Sequence, residues 1–565
     1  MPSDHYQMRS AVPGPARPVQ TGRLSAPARR MVVALVIVLG ACLCPVAAAQ
    51  AALPGVISTV AGNGNRGYQG NGVPAISGEL NNPDAVAAMP DGGLLIANAP
   101  GNVVRFVAGT DCSMHCPFGL PATTDGDIYT IAGDGAAGHS GDFGLATHAE
   151  LDFPRAVAID RDGDVLIADA LNHQIRLVAR SSCASDCPYG LASTRGGYIY
   201  TVAGSGVPGA GGNHGPAGRA QLRFPDRIAV DNYDDLLITD KLDSRVLLLA
   251  GLNCTNDCPY GLPSLTKGYI YVVAGNGHDG YSGDAGPATN AELHGPTGLA
   301  FDSVGDLLIA DSLNNRVRLV ATSSCSFDCQ YGLRSTIPGD IYTVAGNGSS
   351  GFNGDGRPAN LASLSRPDGV AVDGVGDLVI DDAGNDRIRV VPDIGCSIRC
   401  AYGDPMHWEG KGFIYTLAGS GTLGYSGDGG QATVAELNLP LGVAVDGNGN
   451  LLVADTLNQR IRMVTAADQG PVCYETGARE VGQNDFTGTD NQEDVVVYAP
   501  AGLMSITNVT VVNGTAEYAP FTPGTKSPVI VTATATSQNT PVSGYYKATD
   551  EEGRSTLCGF YIQAS

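Results

Sequence analysis

Short apolar runs separated by glycine-, asparagine- and aspartate-rich segments recur along most of the chain. The clearest unit, Asp340–Val391, begins with a β-branched run that ends in Ala-Gly, followed by a polar loop of about twenty residues. Three further Val/Ile/Leu runs follow, the first two separated by a tight Asp/Gly turn. Apolar runs bounded by turn residues are typical of strands joined by hairpins. The pattern predicts four strands per unit and no long helix.

The unit occurs six times. Its Ala-Gly dipeptide begins at Ala61, Ala132, Ala203, Ala274, Ala345 and Ala418, a period of about 71 residues. A fixed period of this length, filled with short strands, indicates a radial repeat. The chain enters on a first-type strand and leaves on a fourth-type strand, so we expect Ile57–Ala61 to pair beside Arg460–Val464. The expected fold is all-β: a six-bladed β-propeller over residues 53–466, closed by its N-terminal strand.

The repeated pattern IYTVAGxGxxGxxGDGxPAxxAxLxxPxGVAVDxxGxLxIADxxNxRIRxV resembles the NHL repeat, in the long-loop form of secreted bacterial and teneurin-like adhesion proteins. The resemblance covers residues 56–464 and implies a propeller. It leaves the activity open, because NHL propellers serve as protein-binding, RNA-binding and lyase scaffolds.

Residues 470–565 lie outside the repeat and carry further strand-like runs. The ending GYYKATDEEGRSTLCGFYI, from Gly544, resembles the last hairpin of hyalin-repeat modules, with Arg554 where that pattern has asparagine. The resemblance implies a small Ig-like β-sandwich of the adhesion type, and a Cys473–Cys558 disulfide would suit it.

The cysteines point to an oxidising compartment. Ten of the 14 form CxxxC pairs at the same place in five units, without regularly spaced histidines to complete a zinc site. Local disulfides are therefore expected. The expected pairs are Cys112–Cys116, Cys183–Cys187, Cys254–Cys258, Cys325–Cys329 and Cys396–Cys400.

The first 49 residues have the composition of a signal peptide: Arg29-Arg30 precede an apolar run that ends in small residues. Met31 is an alternative start, and LGAC, ending at Cys42, resembles a lipobox that would anchor a lipoprotein. We expect a secreted, periplasmic or cell-surface protein with no transmembrane span in the mature chain. The net charge of −23 argues against nucleic-acid binding, and the oligomeric state stays open.

Up-and-down topology places the long loops and the loops between the middle strands on one face of the propeller. Four of the six units place a carboxylate in these long glycine-rich loops, Asp142, Asp284, Asp355 and Asp428, and the other two place Asn71 and Asn213 there. Each carboxylate could bind Ca²⁺ or cap its own turn by accepting backbone N–H groups. A second set of acids, among them Asp169 and Asp311, is paired in sequence with arginines such as Arg176 and Arg318, which favours structural salt bridges.

Charges that differ between units are found at the starts of the inner strands, where the central channel opens. The candidate ligand-binding residues there are Asp84, Arg155, Asp226, Arg227 and Asp368. NHL-type amidating lyases hold a metal with channel histidines, but the inner strands of this chain contain none.

These observations predict a non-catalytic scaffold that binds an extracellular protein or carbohydrate and requires no cofactor, with calcium as an option. The alternative is an enzyme, a lyase or hydrolase with or without a metal, that uses the channel mouth.

Overall fold

The computed structural model describes residues 55–114, 116–256, 258–327, 329–393, 402 and 410–466, and the backbone of seven strands between 472 and 562. The expected leader with Met31 and Cys42, and the expected pairs Cys396–Cys400 and Cys473–Cys558, lie outside what is described. Within the described residues, none of the helices has the length and apolar character that a membrane crossing needs.

Six antiparallel sheets form the six blades of an all-β propeller, as the repeat predicts. The inner strands are Pro83–Ala88, Pro154–Ile159, Pro225–Val230, Pro296–Phe301, Val370–Val372 and Pro440–Val445. The second strands are Leu94–Asn98, Val165–Asp169, Leu236–Asp240, Leu307–Asp311, Leu378–Asp382 and Leu451–Asp455. The third strands are Val103–Val107, Gln174–Val178, Arg245–Leu249, Arg316–Val320, Arg387–Val391 and Arg460–Val464. The outer strands are Asp127–Ala132, Ile199–Ala203, Tyr269–Ala274, Asp340–Ala345, Phe413–Ala418 and, for blade 6, Val56–Ala61.

Blade 6 combines the two ends of the repeat region. Val56–Ala61 pairs antiparallel with Arg460–Val464, with Ile57 opposite Val464 and Thr59 opposite Arg462. The long loop before each blade returns along that blade's outer edge. In five blades it adds a two-residue strand there: Val73–Pro74, Gly215–Pro216, Gly286–Pro287, Arg357–Pro358 and Gly430–Gln431.

Short 3₁₀ turns occupy three recurring places. In the long loops they are Ala75–Ser77, Ala146–His148, Ala217–Arg219, Ala288–Asn290, Ala359–Leu361 and Ala432–Val434. After the second strands they are Ala99–Gly101, Ala170–Asn172, Lys241–Asp243, Ser312–Asn314, Ala383–Asn385 and Thr456–Asn458. After the CxxxC pairs they are Pro117–Gly119, Pro188–Gly190, Pro259–Gly261 and Gln330–Gly332.

The hydrophobic core lies between neighbouring blades. Second strands such as Leu94–Asn98 are buried along their whole length, because each blade is covered on both sides by its neighbours. This explains why these strands read as continuous apolar runs and not as alternating ones. Burial of such runs supplies most of the driving force for folding.

The described CxxxC pairs form disulfides, as expected from the sequence. They are Cys112–Cys116, Cys183–Cys187, Cys254–Cys258 and Cys325–Cys329, with Cα–Cα separations between 5.6 and 5.8 Å. These separations suit unstrained bridges. Each disulfide closes a five-residue loop between the third and outer strands, and together they fit a protein outside the reducing cytosol.

Two further sheets lie C-terminal to the propeller. One has the strand order Val472–Glu475, Gln492–Tyr498, Val529–Ala535, Gly514–Tyr518, and the other Leu503–Val512, Val542–Asp550, Ser555–Ile562. The β-sandwich expected from the hyalin-like ending stays a prediction.

Two faces of the propeller can be distinguished. On the broad face, long loops meet the turns between second and third strands: the Asp152 N–H donates to Asp169 Oδ1 at 2.7 Å, and that of His294 to Asp311 Oδ1 at 2.8 Å. On the narrow face, the CxxxC loops meet the turns between inner and second strands, as where the Tyr260 hydroxyl donates to Asp231.

Candidate functional site

The inner strands surround a central channel with a cavity of about 70 Å³. Two residues per blade line it: Ala85, Val86, Ala156, Val157, Arg227, Ile228, Gly298, Leu299, Gly369, Val370, Gly442 and Val443. Blades 4 to 6 carry glycine at the position nearest the mouth. A Cβ on Gly298 would lie 2.6 Å from the Asp368 carbonyl oxygen, and one on Gly442 would lie 2.7 Å from that of Asp84. Glycine is needed at these positions because neighbouring backbones approach so closely.

Arg227 crosses the channel at its broad-face end. Its Nη2 donates to Asp368 Oδ1 at 2.6 Å and to the carbonyl oxygens of Leu441 at 2.8 Å and Asp84 at 3.2 Å. Its Nη1 donates to the Arg155 carbonyl oxygen at 3.0 Å. One side chain from blade 3 thereby contacts blades 1, 2, 5 and 6. The Arg227 side chain is buried in these contacts.

A second buried arginine completes the network. Arg155 Nε donates to Asp226 Oδ1 at 2.8 Å, and its Nη1 lies 3.0 Å from Asp84 Oδ2. Lys241 Nζ lies 3.4 Å from Asp226 Oδ2. Burial opposes ionisation of Asp226, but the positive charges of Arg155, Lys241 and Arg227 outweigh it and lower its pKa below the ordinary value. The predicted channel-mouth residues therefore form one buried network.

Asp381 adjoins this network, although the sequence pattern does not single it out as a site residue. It occupies a second-strand position where four other blades have alanine, and its side chain is fully buried. Neither of its carboxyl oxygens accepts a hydrogen bond from any described residue. Burial, followed by the negative charge of Asp368, raises the pKa of Asp381 well above its ordinary value. A buried carboxyl with a raised pKa therefore adjoins the Arg227–Asp368 pair. The signal in the sequence was the Asp-Asp at Asp381-Asp382 where the other copies have Ala-Asp, Thr-Asp or, in blade 1, Ala-Asn.

We expect Asp381→Ala to raise the free energy of unfolding by about 1 to 2 kcal/mol, because it removes a buried polar group without a partner. Urea unfolding of the full chain measures this. The matched control is Asp382→Ala, which should destabilise, because Asp382 accepts hydrogen bonds from the Ser365 N–H at 2.7 Å and Asn385 Nδ2 at 2.7 Å. Equal destabilisation by both changes would contradict the assignment.

Each calcium candidate on the broad face is bonded to a buried arginine of its own blade. In blade 4, Arg318 Nη2 donates to Asp284 Oδ1 at 2.6 Å and Nη1 to Asp311 Oδ2 at 3.4 Å. The same bridge joins Asp142, Arg176 and Asp169, then Asp355, Arg389 and Asp382, and finally Asp428, Arg462 and Asp455. The arginine thus links the two acidic sets that the sequence showed separately.

The four calcium candidates lie in four different blades. Among the described residues, no three His, Cys, Asp or Glu side chains form a group that could hold a metal. Calcium binding at these positions stays a prediction.

Blades 1 and 3 depart from this arrangement. In blade 1, Asn71 and Asn98 stand where blade 4 has Asp284 and Asp311. The buried Arg105 of this blade donates to the carbonyl oxygens of Tyr68 and Gly70. Burial lowers the pKa of Arg105 to about 10. Blade 3 has Leu247 at the arginine position, and Arg245, two residues earlier, bonds Asp240 instead at 2.7 Å.

Aromatic rings of the long loops pack against arginine side chains. The Tyr281 ring centroid lies 3.6 Å from Arg316 Cζ and 4.9 Å from Arg318 Cζ. Phe352 and Tyr425 make the same contacts with Arg387/Arg389 and Arg460/Arg462. These contacts favour a structural role for the rings through cation–π attraction.

Exposed leucines mark the broad face around the channel mouth. They lie in the turns between second and third strands and are named here the leucine ring: Leu171 (48% exposed), Leu242 (53%), Leu313 (47%) and Leu457 (39%). The Leu313 N–H donates to the His294 carbonyl oxygen at 3.1 Å, which fixes this turn just before the inner strand. A contiguous patch of exposed apolar side chains marks a binding surface, whereas single ones are normal on a protein surface.

Comparison with known proteins supports an NHL-repeat propeller. The family model "NHL repeat" matches residues 437–462. Protein SUPPRESSOR OF QUENCHING 1, chloroplastic, of Arabidopsis thaliana is 25% identical over 58% of this chain and 26% of its own length. Human Teneurin-1 is 25% identical over 60% of this chain and 13% of its own length. The chain therefore spans only about a quarter or less of these relatives.

Solved structures with a similar course of the chain include a protein of unknown function from Bacteroides thetaiotaomicron, with a TM-score of 0.44 and 14% identity over 73% of this chain and 76% of that one. A streptogramin B lyase has a TM-score of 0.35 and 12% identity over 70% of this chain and 96% of that one.

Proposed function

We propose that this NHL-repeat propeller is a secreted or cell-surface scaffold without catalytic activity, and that its broad face binds an extracellular protein. The observation that carries the proposal is the contrast between two groups of side chains. The charges at the channel mouth are buried and paired with one another, whereas the leucine ring is exposed around them. Buried charges that are already paired with one another have few free hydrogen-bonding groups for a ligand. Exposed leucines suit the apolar centre of a protein interface.

Three further features support this role. The four disulfides suit an extracellular environment. The acidic chain would be repelled by nucleic acids. We also propose that pairing of Val56–Ala61 with Arg460–Val464 seals the ring, which makes the broad face one continuous surface. Tyr281, Phe352 and Tyr425 contact arginines and are still 39 to 42% exposed, so a carbohydrate partner is tested beside a protein partner.

The test is binding of extracellular proteins, and of a glycan array, to the immobilised full chain. A variant combining Leu171→Ser, Leu313→Ser and Leu457→Ser should bind the partner at least about tenfold more weakly, because buried apolar anchors dominate interface energies. The matched control combines Val304→Ser, Phe327→Ser and Ile337→Ser, which are exposed residues of the narrow face. Loss of binding in the control alone, or unchanged binding in the leucine variant, would contradict the proposal. A signal confined to the glycan array would make the partner a carbohydrate.

The second candidate is an enzyme acting at the channel mouth, a lyase or hydrolase with or without a metal. Asp381 favours it, since a buried carboxyl with a strongly raised pKa is a common feature of active sites. Elemental analysis of the purified chain and a panel of lactone, glycoside and peptide substrates test this candidate. Turnover that disappears in Asp381→Ala while the fold is retained would establish the enzyme and overturn the scaffold.

A further inference from the structure

The turns between inner and second strands on the narrow face carry an acid at both ends in four blades. The pairs of blades 2 to 5 are Asp160/Asp164, Asp231/Asp235, Asp302/Asp306 and Asp373/Asp377, all buried. Blade 6 has Asp446/Asn450 at the same places, and blade 1 has Met89/Gly93. At these two positions, blades 2 to 5 therefore carry two acids, blade 6 carries one and blade 1 carries none, so the blades can be compared with one another.

Blade 6 shows what connects the two positions. Asn450 Oδ1 accepts the Ala466 N–H at 2.9 Å, which orients the amide. Its Nδ2 then donates to Asp446 Oδ2 at 2.9 Å. The other oxygen, Asp446 Oδ1, accepts the backbone N–H of Asn450 at 2.9 Å. A hydrogen atom therefore lies between the facing ends of the two side chains.

The acid pairs repeat this geometry with a carboxyl in place of the amide. Asp164 Oδ1 accepts the Arg180 N–H at 2.7 Å, and Asp160 Oδ1 accepts the Asp164 N–H at 2.8 Å. Equivalent N–H groups bond Asp235 at 2.7 Å, Asp306 at 2.7 Å and Asp377 at 3.0 Å. The remaining oxygens of the first acids, Oδ2 of Asp160, Asp302 and Asp373, are buried without a hydrogen-bond partner.

Two buried carboxylates that face each other cannot both be ionised at low cost. We propose that each pair in blades 2 to 5 shares one proton at neutral pH, and that this proton replaces the Asn450 N–H and holds the narrow face together. The shared proton forms an O–H hydrogen bond from the second carboxyl to the first, in the place of the N–H hydrogen bond that Asn450 donates to Asp446.

A tyrosine accompanies the acid pairs. The buried aromatic after each described CxxxC pair is Tyr189, Tyr260 or Tyr331 in blades 2 to 4, and Tyr402 follows in blade 5. In blade 1, where the turn has no acid pair, the same position is Phe118. The Tyr260 hydroxyl donates to Asp231 Oδ2 at 3.1 Å. Among blades 1 to 5, the tyrosine hydroxyl is therefore present in the four blades that have an acid pair and missing in blade 1, which has none.

Negative groups dominate the surroundings of the pairs. Asp162, Asp234 and Tyr189 face the blade 2 pair, with Arg180 beside Asp164. Asp234 and Tyr260 face the blade 3 pair, with Tyr233 also close to Asp231. Asp393, which lies 3.7 Å from Lys411 Nζ, and Tyr331 face the blade 4 and 5 pairs, and Tyr402 faces the blade 5 pair.

Burial raises the pKa of these groups, and for Asp160, Asp235, Asp302 and Asp377 the negative charge of the partner acid raises it further. The pKa is about 8 for Asp160, about 7 for Asp235 and Asp302, and about 6 for Asp164 and Asp373. An aspartate in the unfolded chain releases its proton near pH 4. The folded state therefore holds protons that the unfolded state has lost. Stability from the pairs is complete below about pH 4, where the unfolded aspartates are protonated, and is lost between there and about pH 6 to 8, where the folded pairs release their protons.

The test is chemical unfolding of the full chain, with disulfides intact, between pH 5 and pH 9. The unfolding constant should rise by about tenfold per pH unit for each pair that titrates. A variant combining Asp164→Asn, Asp235→Asn, Asp306→Asn and Asp377→Asn should lose the part of this rise that the pairs supply and exceed the wild type in stability at pH 8. Asn450→Asp is the control in the opposite direction. It adds a fifth acid pair and should make the unfolding constant rise more steeply with pH.

Two controls keep the result interpretable. If the fourfold variant fails to fold, Asp164→Asn alone should reduce the pH slope, and at pH 7 the infrared carbonyl stretch of protonated carboxyls should be weaker in Asp164→Asn than in the wild type. Equal pH slopes for wild type and variants, or spectra without protonated carboxyls, would overturn the proposal. It would equally be overturned if millimolar Ca²⁺ stabilised the wild type at pH 8 and left the Asn variants unchanged, because the pairs would then hold a metal.

Discussion

Replacing Arg318 with leucine is expected to lower the free energy of unfolding by about 3 to 5 kcal/mol. Arg318 is fully buried and joins Asp284 of the long loop to Asp311 of the second strand. Without it, Asp311 would remain buried with Asn314 Nδ2 and the His294 N–H as its hydrogen-bond partners and no opposite charge. Removing one member of a buried ion pair costs more than the pair itself contributes.

Urea unfolding measures this loss, and the chain supplies its own controls. Arg316→Leu, two residues earlier, removes an arginine that reaches only carbonyl oxygens and the Tyr281 ring, and should cost less than half as much. Adding Asp311→Asn to Arg318→Leu should restore part of the loss, since blade 1 carries Asn98 at that position. A cost for Arg318→Leu no greater than that for Arg316→Leu would show that the bridge does not stabilise the blade.

Replacing Arg227 with methionine is expected to cost a similar amount, about 3 to 5 kcal/mol. The change leaves buried Asp368 without its cation and removes the donor to the carbonyl oxygens of Asp84, Arg155 and Leu441. The loss should be cooperative, because one side chain links four other blades across the axis. Thermal and urea unfolding both report it.

Arg223→Met is the matched control for the channel. Arg223 belongs to the same blade but its side chain is 54% exposed and lies 3.7 Å from Asp243. An exposed pair contributes about 0 to 1 kcal/mol, so this change should be nearly silent. Similar small effects for Arg223→Met and Arg227→Met would mean that the guanidinium on the axis is dispensable for stability and available for another role.

The blades were predictable because each copy repeats the same local signals. Ala-Gly at the end of the outer strand, Gly-Val-Ala-Val-Asp in the inner strand and the Asp-x-x-Asn turn each fix a local conformation, and the period multiplies them. The channel-mouth residues were predictable for the opposite reason. Asp84, Arg155, Asp226, Arg227 and Asp368 occupy one position, or adjacent positions, where the copies differ, and a radial repeat brings such positions together.

Asp381 and the acid pairs were not found in this way. Asp381 is part of a run that reads simply as a second strand, and only the fold shows that it adjoins Arg227 and Asp368. The segment Asp160–Asp164 reads as a tight turn, and the structure agrees, since the Gly163 N–H donates to the Asp160 carbonyl oxygen at 3.0 Å. What the sequence does not show is that both side chains point into the interior and face each other.

In the function proposed above, the charges of the channel mouth act on one another and not on a ligand. A double-mutant cycle between Arg227→Met and Asp368→Asn, followed by urea unfolding, tests this most directly. We expect a coupling energy of about 1.5 to 3 kcal/mol, as for residues in one buried ion-pair network. A coupling energy near zero would contradict it, because Arg227 and Asp368 would then stabilise the propeller independently.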